Sequence, residues 1–351
     1  MGMDYGYANA RIRGMKSRLL THGAMDDLIM KPDMDSLIVE LEKTPYKDEI
    51  HEAGGKYSGI YCVEYALRKN FTGTFRKILG FMEDTPAERY VRIFLRRWDV
   101  QNIKTILRGK SIHTTADEIV GCLVPAGDLD DVALGELIKQ PDLKAVIDLM
   151  ATLRIEYAKP LTRHFKEYSG ERDLIVLESA LDRFYYDRAL AGVRGYSYDE
   201  RFIRKILRIE IDIINLKTIL RMARDKVGME EAKGLLIEGG ARLRMEDMAG
   251  MLDTGSVTGV IDRLKGTSYS FMESIPEEHL RKEKISGFEK QLDRFIIMKG
   301  LNAFYGDPLS IAIAIGYFWA KFNEITNIRV IARCKTADIP EESLREELFY
   351  V

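Results

Sequence analysis

Cysteine is scarce in this chain: Cys62, Cys122 and Cys334 are its only three in 351 residues. An odd, scattered set of this kind is not a disulfide framework, and with no signal peptide at the start it points to a reducing compartment. A charge excess is missing too, since 53 Lys and Arg against 55 Asp and Glu leave a formal charge of −2. Proteins that hold nucleic acid by neutralising phosphates carry a basic surplus, so no nucleic-acid partner is expected. The longest apolar run, Ile311 to Ala320, is about half of the roughly 20 residues a membrane-spanning helix needs. A soluble protein is expected, with that run in its core. The five histidines, His22, His51, His113, His164 and His279, show no H-x-x-x-H or cysteine-paired spacing, which argues against a zinc site. Gly54-Gly55-Lys56 and Gly109-Lys110-Ser111 lack the glycine four residues ahead of the Gly-Lys pair, and neither follows a strand, so neither is a phosphate loop. No nucleophile elbow is present, and no cofactor is expected. No stretch alternates apolar and polar residues in a way that demands a strand.

One pattern is present three times. D-V-Q-N-I-K-T-I-L-R, Asp99 to Arg108, returns as D-I-I-N-L-K-T-I-L-R, Asp212 to Arg221, and as E-I-T-N-I-R-V-I-A-R, Glu324 to Arg333. Its members are an acid (Asp99, Asp212, Glu324), an amide (Asn102, Asn215, Asn327), a base (Lys104, Lys217, Arg329) and a closing arginine (Arg108, Arg221, Arg333). Successive copies lie 113 and 112 residues apart, close to a third of the chain, and a constant period of this kind marks internal repetition. A second feature keeps the same spacing: Glu64, Glu178 and Glu289, each in an acid-x-x-Leu segment, stand 35, 34 and 35 residues ahead of the signature acid. Helix starts recur between the two features. Thr85-Pro86 with Glu88 and Ser197 with Glu200 read as capping boxes, and Asp307-Pro308 as a cap followed by proline.

The predicted architecture is all-α, in three homologous helical domains spanning residues 1–118, 119–230 and 231–351. No Gly/Ser- or Pro-rich linker separates them, so they are expected to pack closely. Helices are predicted over an amphipathic first segment with Ala8, Ile12, Met15 and Leu19 on one face, ended by Thr21-His22-Gly23. Others are expected from Met34 to Lys43, Tyr61 to Arg76, Thr85 to Arg108, Leu134 to Lys139 and Leu143 to Arg154. Further ones run from Glu171 to Ala191, Asp199 to Lys226, Met245 to Met251, Val257 to Leu264, Glu278 to Leu301 and Pro308 to Cys334, with a short helix in the tail. Asp26-Asp27 and Asp130-Asp131 fall in matching loops as solvated helix-start acids.

At about 100° per residue, Asp99 and Asn102 fall in or at the edge of the apolar arc, while Lys104 and Arg108 lie just outside it. A buried carboxylate and amide need partners, because an unpaired buried polar group costs about 1–3 kcal/mol. The predicted role is structural: Asp99 and Asn102 tie neighbouring helices, and Glu64 pairs with a base such as Lys104 or Arg108 of its own unit. A catalytic acid–amide–base cluster is the competing reading, and triplication within one chain argues for architecture instead.

The first helix, Y-A-N-A-R-I-R-G-M-K-S-R-L-L at Tyr7 to Leu20, and the repeated D-x-x-N-[IL]-K-x-I-[IL]-R resemble the C subunit of the archaeal and bacterial A-type/V-type rotary ATPases. That family is similar to the d subunit of the eukaryotic vacuolar enzyme. The resemblance covers essentially the whole chain, and the third copy departs from it with Glu324 for Asp and Arg329 for Lys. It implies a pseudo-threefold, funnel-like set of helical domains on the cytoplasmic face of the membrane, without a transmembrane segment. The funnel would sit on the membrane rotor (proteolipid) ring and receive the central-shaft subunits. Such a protein is non-catalytic, binds no cofactor, and passes torque during ion-coupled ATP synthesis or hydrolysis. The segments Asp26–Met30, Asp128–Val132 and Glu246–Met251 occupy equivalent places and are candidates for a shared contact face. The alternative is a helical-repeat scaffold of another cytoplasmic complex, although a unit of ~113 residues is large beside the roughly 20–50 of common solenoids.

Overall fold

A computed structural model of the chain describes residues 5–275 and 285–350, with backbone only at 171. Every regular element among them is a helix. The signature lies on three long helices, Pro86–Ser111, Tyr198–Asp225 and Ala312–Thr336. Each is preceded by another long helix: Gly59–Phe81, Ile175–Ala191 and Ile285–Leu301. Short helices recur in pairs, His22–Ile29 with Met34–Leu41, Asp131–Ile138 with Leu143–Thr152, and Met245–Leu252 with Val257–Arg263. Their starts are set by side chains that accept an orphan amide hydrogen. Asp33 takes the Ser36 N–H at 2.8 Å, Asp130 the Ala133 N–H at 2.8 Å and Ser256 the Gly259 N–H at 3.1 Å.

Several boundaries differ from expectation, each for a local reason. Thr21 does not end the first helix, which stops at Lys16; it caps the next one, accepting the Ala24 N–H at 3.3 Å. Asp26 therefore lies inside a helix and pairs with Arg345 at 2.6 Å, whereas Asp130 is a true N-cap, so the two acids do not match. Pro86 does open its helix, but the Thr85 hydroxyl donates to the Met82 carbonyl at 2.6 Å and Glu88 pairs with Arg92, so no capping box forms there. The box is found at Thr115 and Glu118 instead. Ser197 caps as expected, accepting the Glu200 N–H at 3.2 Å. Asp307 accepts the Leu309 N–H within a turn, and the helix begins only at Ala312. The stretch from Glu171 to Ala191 is not one helix, because Arg172 takes φ 58° and separates Ala158–Glu171 from Ile175–Ala191. The expected start at Glu278, and His279, lie outside the described residues.

The chain divides into two compact units, Met1–Leu143 with Gly300–Val351, and Lys144–Lys299. In the first, the run Ile311–Ala320 is buried throughout. The Phe318 ring sits 6.2, 5.4 and 5.9 Å from those of Phe71, Phe75 and Phe94. In the second, Tyr269 and Phe271 pack on Phe295 at 5.5 and 4.9 Å. These aromatic contacts fix which helices lie side by side, and so which polar groups can meet.

Candidate functional site

The signature amide does the same thing in every copy. Asn102 donates to the Val124 carbonyl at 2.8 Å and accepts the Val124 N–H at 2.8 Å. Asn215 donates to Ile237 at 2.7 Å and accepts from it at 2.9 Å. Asn327 donates to Phe349 at 2.8 Å and accepts from it at 3.1 Å. In each case the partner lies 22 residues further along. A primary amide matches a peptide unit donor for acceptor, so one buried side chain completes a backbone segment that has no helix or sheet partner of its own.

The signature acid fixes a second point. Asp99 accepts the N–H groups of Asp128 and Leu129, both at 2.9 Å. Asp212 accepts those of Arg242 at 2.8 Å and Leu243 at 3.2 Å. Glu324 finds its partner near the other end of the chain, in the Leu20 N–H. Leu129, Leu243 and Leu20 each stand immediately before the N-cap of a short helix, so all three acids hold the entry to equivalent helices. Lysine completes the grip in two copies. Lys110 donates to the Ile138 carbonyl at 2.6 Å and Lys335 to that of Ile29 at 2.7 Å, the last residues of two of those short helices, where a cation meets the negative helix end.

The carboxylates are buried at a cost. Burial pushes Asp99 up to about 6, against the pull of the Leu129 and Asp128 amides. Burial also raises Asp212, opposed by the Tyr269 hydroxyl and by backbone N–H groups. That hydroxyl donates to Asp212 at 2.7 Å. In the third copy Tyr46 donates to Glu324 at 2.6 Å and Lys321 donates to both Glu324, at 2.8 Å, and the Tyr46 oxygen, at 2.9 Å. Burial and the adjacent Glu324 hold the Tyr46 hydroxyl protonated. Lys321 and Glu324 are a buried ion pair, with side chains 6% and 5% exposed.

The bases reach a different helix. Glu64 pairs with Arg329 at 2.8 Å and Arg333 at 3.0 Å, not with Lys104 or Arg108 of its own unit. The reason lies in the core: Phe71 and Phe75 pack edge-on or tilted against Phe318, which lays Gly59–Phe81 along the third signature helix. Arg221 pairs with Glu289 at 2.6 Å, and Lys217 pairs with Asp293, one turn on, at 2.6 Å. The position one turn after Glu64 is Arg68, so both bases of the third copy converge on the single carboxylate. Lys104 is buried and Arg108 exposed on the first signature helix, and Glu178 is half-buried on Ile175–Ala191. The half-exposed pairs contribute up to about 1 kcal/mol each, less than the buried clamps.

Sequence reasoning missed Tyr46, Tyr269, Lys321, Asp293, Lys110, Lys335, Gly127 and Gly240. Gly127 and Gly240, whose missing Cβ leaves room for the Asp99 and Asp212 carboxylates, stand 28 residues after those acids, and Lys110 and Lys335 stand 11 after theirs, a regularity that extending the repeat would have exposed. Tyr46 and Tyr269 each end a Thr-x-Tyr segment, Thr44–Tyr46 and Thr267–Tyr269, about two repeat periods apart, so the same extension would have reached them. No group of His, Cys, Asp and Glu among the described residues could hold a metal, and none of their helices is long and apolar enough to cross a membrane.

A family model described as ATP synthase (C/AC39) subunit matches residues 8–347. The chain belongs to that family. Among its relatives, the C subunit of the A-type ATP synthase of Methanococcoides burtonii is 31% identical over 98% of this chain and 94% of its own. The protein of the same name from Halobacterium salinarum is 30% identical over 98% and 97%, and that of Methanocaldococcus jannaschii 28% over 98% and 86%. The matched region of this C/AC39 chain contains all three signatures and Glu64, Glu178 and Glu289, while Phe349, the partner of Asn327, lies just beyond it.

Proposed function

We propose that this protein is the non-catalytic coupling piece of the central stalk of an A/V-type ATP synthase, seated on the membrane rotor ring at the cytoplasmic face and joined to the central shaft. In this reading the three homologous domains, residues 1–118, 119–230 and 231–351, form a pseudo-threefold funnel that passes torque between ring and shaft. The observation that supports it most is the uniformity of the clamp: each signature asparagine fixes the peptide unit 22 residues on through two hydrogen bonds. A torque carrier needs stiffness at every joint and chemistry at none. Buried, fully satisfied polar ties supply stiffness because opening them exposes unpaired groups.

Native mass spectrometry of the protein mixed with detergent-solubilised rotor ring and central-shaft subunits tests this. One copy retained in an assembly with both partners is the expected result. Failure to bind either, with all components folded, would reduce the likeness to one of fold.

A further inference from the structure

Some exposed cations of the molecule sit beside carboxylates, as Lys144 does with Asp148, Arg188 with Glu156 and Lys265 with Asp262, and others such as Arg163 and Lys166 stand without an ion pair among the described residues. The first helix, Gly6–Lys16, and its exit concentrate bases of the second kind. Between Tyr5 and Met25 the chain holds Arg11, Arg13, Lys16 and Arg18 and no acid. All four are exposed and make no ion pair among the described residues. The helix itself is firmly seated, with Ala8, Asn9 and Ile12 buried. Asn9 donates to the carbonyls of Pro308 and Ser310 at 2.9 and 3.0 Å. Arg11 lies over the Phe81 ring at 5.0 Å and Lys16 over that of Phe304 at 4.0 Å. Arg11 and Lys16 thus stand beside two segments, the turn after Phe81, which carries the exposed acids Glu83 and Asp84, and 302–310, which carries the exposed Asp307; none of these acids pairs with the four bases, which outnumber them. Around them apolar and aromatic side chains point outward: Tyr7 is 65%, Tyr305 89% and Leu309 61% exposed.

We propose that this face binds an anionic phospholipid surface. Unpaired bases in excess of the nearby acids, interleaved with exposed tyrosine and leucine, are the combination that favours a charged headgroup layer, where the cations meet phosphate and the amphipathic rings sit at the interface. At about 100° per residue Arg11 and Arg13 fall on opposite flanks of the buried Ile12, with Lys16 and Arg18 at the helix exit. A dispersed array of this kind suits a fluid layer of headgroups better than the fixed carboxylates of an acidic protein. The buried Ile12 and Asn9 keep the helix on the protein, so attachment is peripheral, carried by the charges and the exposed side chains, without insertion of the helix. The inference is independent of the coupling role proposed above.

The test is flotation of the full chain with phosphatidylcholine vesicles, with and without phosphatidylglycerol. The wild-type protein is expected to float only with the anionic vesicles, and to lose this at high salt. A base near an anionic surface contributes about fivefold to partitioning. Arg11→Glu, Arg13→Glu and Arg18→Glu together should therefore lower it by at least about a hundredfold. Tyr305→Ser with Leu309→Ser should weaken binding while leaving its salt dependence. Because Arg11 touches two rings, Arg13→Gln with Arg18→Gln serves as a second charge variant whose substitutions meet no described ring, with the thermal melt as the check on folding. No flotation of folded wild-type protein with anionic vesicles at low salt overturns the proposal, as does equal flotation of the charge variants. A charge-reversed variant that floats normally but no longer joins the solubilised rotor ring overturns it in favour of an acidic protein partner.

Discussion

The smallest unit of this architecture is a single side chain closing on a peptide unit. Each signature asparagine makes two hydrogen bonds of about 0.5–1.5 kcal/mol net, and its loss would strand a backbone donor and acceptor at about 1–3 kcal/mol each. The acids are different, because their charge opposes burial. Asp99, pushed up to about 6 by desolvation, lies above the roughly 3.9 of an unfolded chain. A raised carboxyl favours the folded state most below the unfolded value, and that contribution is lost as pH climbs through the folded one. The loss amounts to about 3 kcal/mol by pH 7. Asp99→Asn removes this titration and turns an amide donor toward the N–H groups of Asp128 and Leu129. The stability gap between wild type and Asp99→Asn, from denaturant melts, should therefore be widest near pH 4 and shrink toward pH 7. A gap that widens with pH would mean the amide hydrogen bonds outweigh burial.

At the level of elements, the clamps fix the short helices. The carboxylate of Asp212 fills the space where a Cβ on Gly240 would stand, and that of Asp99 does the same at Gly127. Arg208 donates to the Gly240 carbonyl at 2.7 Å and closes the loop from its other side. Gly240→Ala should therefore displace Asp212 and cost about 1–3 kcal/mol. Gly135→Ala, inside the helix Asp131–Ile138 with open space around it, should be neutral or stabilising by up to about 1 kcal/mol. Equal thermal shifts in the two variants would remove the close-approach account. The long helices were legible from periodicity and from proline and cap residues. The break at Arg172 and the helix after Thr21 were not, because a positive φ and the choice between ending one helix and starting the next depend on contacts outside the local window.

For the molecule as a whole, ties between sequence-distant segments matter most. Glu324 with Leu20 and Tyr46, and Glu64 with Arg329 and Arg333, join the ends of the chain within one compact unit. In the second unit Asp212, Asn215 and Tyr269 make the corresponding ties. Asp212→Ala with Asn215→Ala is expected to lower the melting temperature of the isolated protein. If the coupling role holds, the assembled enzyme carrying this variant will turn over nucleotide with reduced ion transport. An unchanged melting temperature would show that these ties do not carry stability.

Residue type and spacing along the chain were enough to set the helical class, the period of the repeat, the place of Asp99 and Asn102 in or at the edge of the apolar arc, and the likeness to the family. All of these follow from local spacing and from residue types that cannot be buried without partners. Which groups become those partners is set by the packing of the helices. Aromatic packing around Phe318 set Glu64 against Arg329 and Arg333, and the fold brought Tyr46 to Glu324 and Tyr269 to Asp212. A hydrogen bond across 278 residues leaves no trace in local periodicity, because its geometry is fixed by the packing of helices and not by the spacing of residues along the chain.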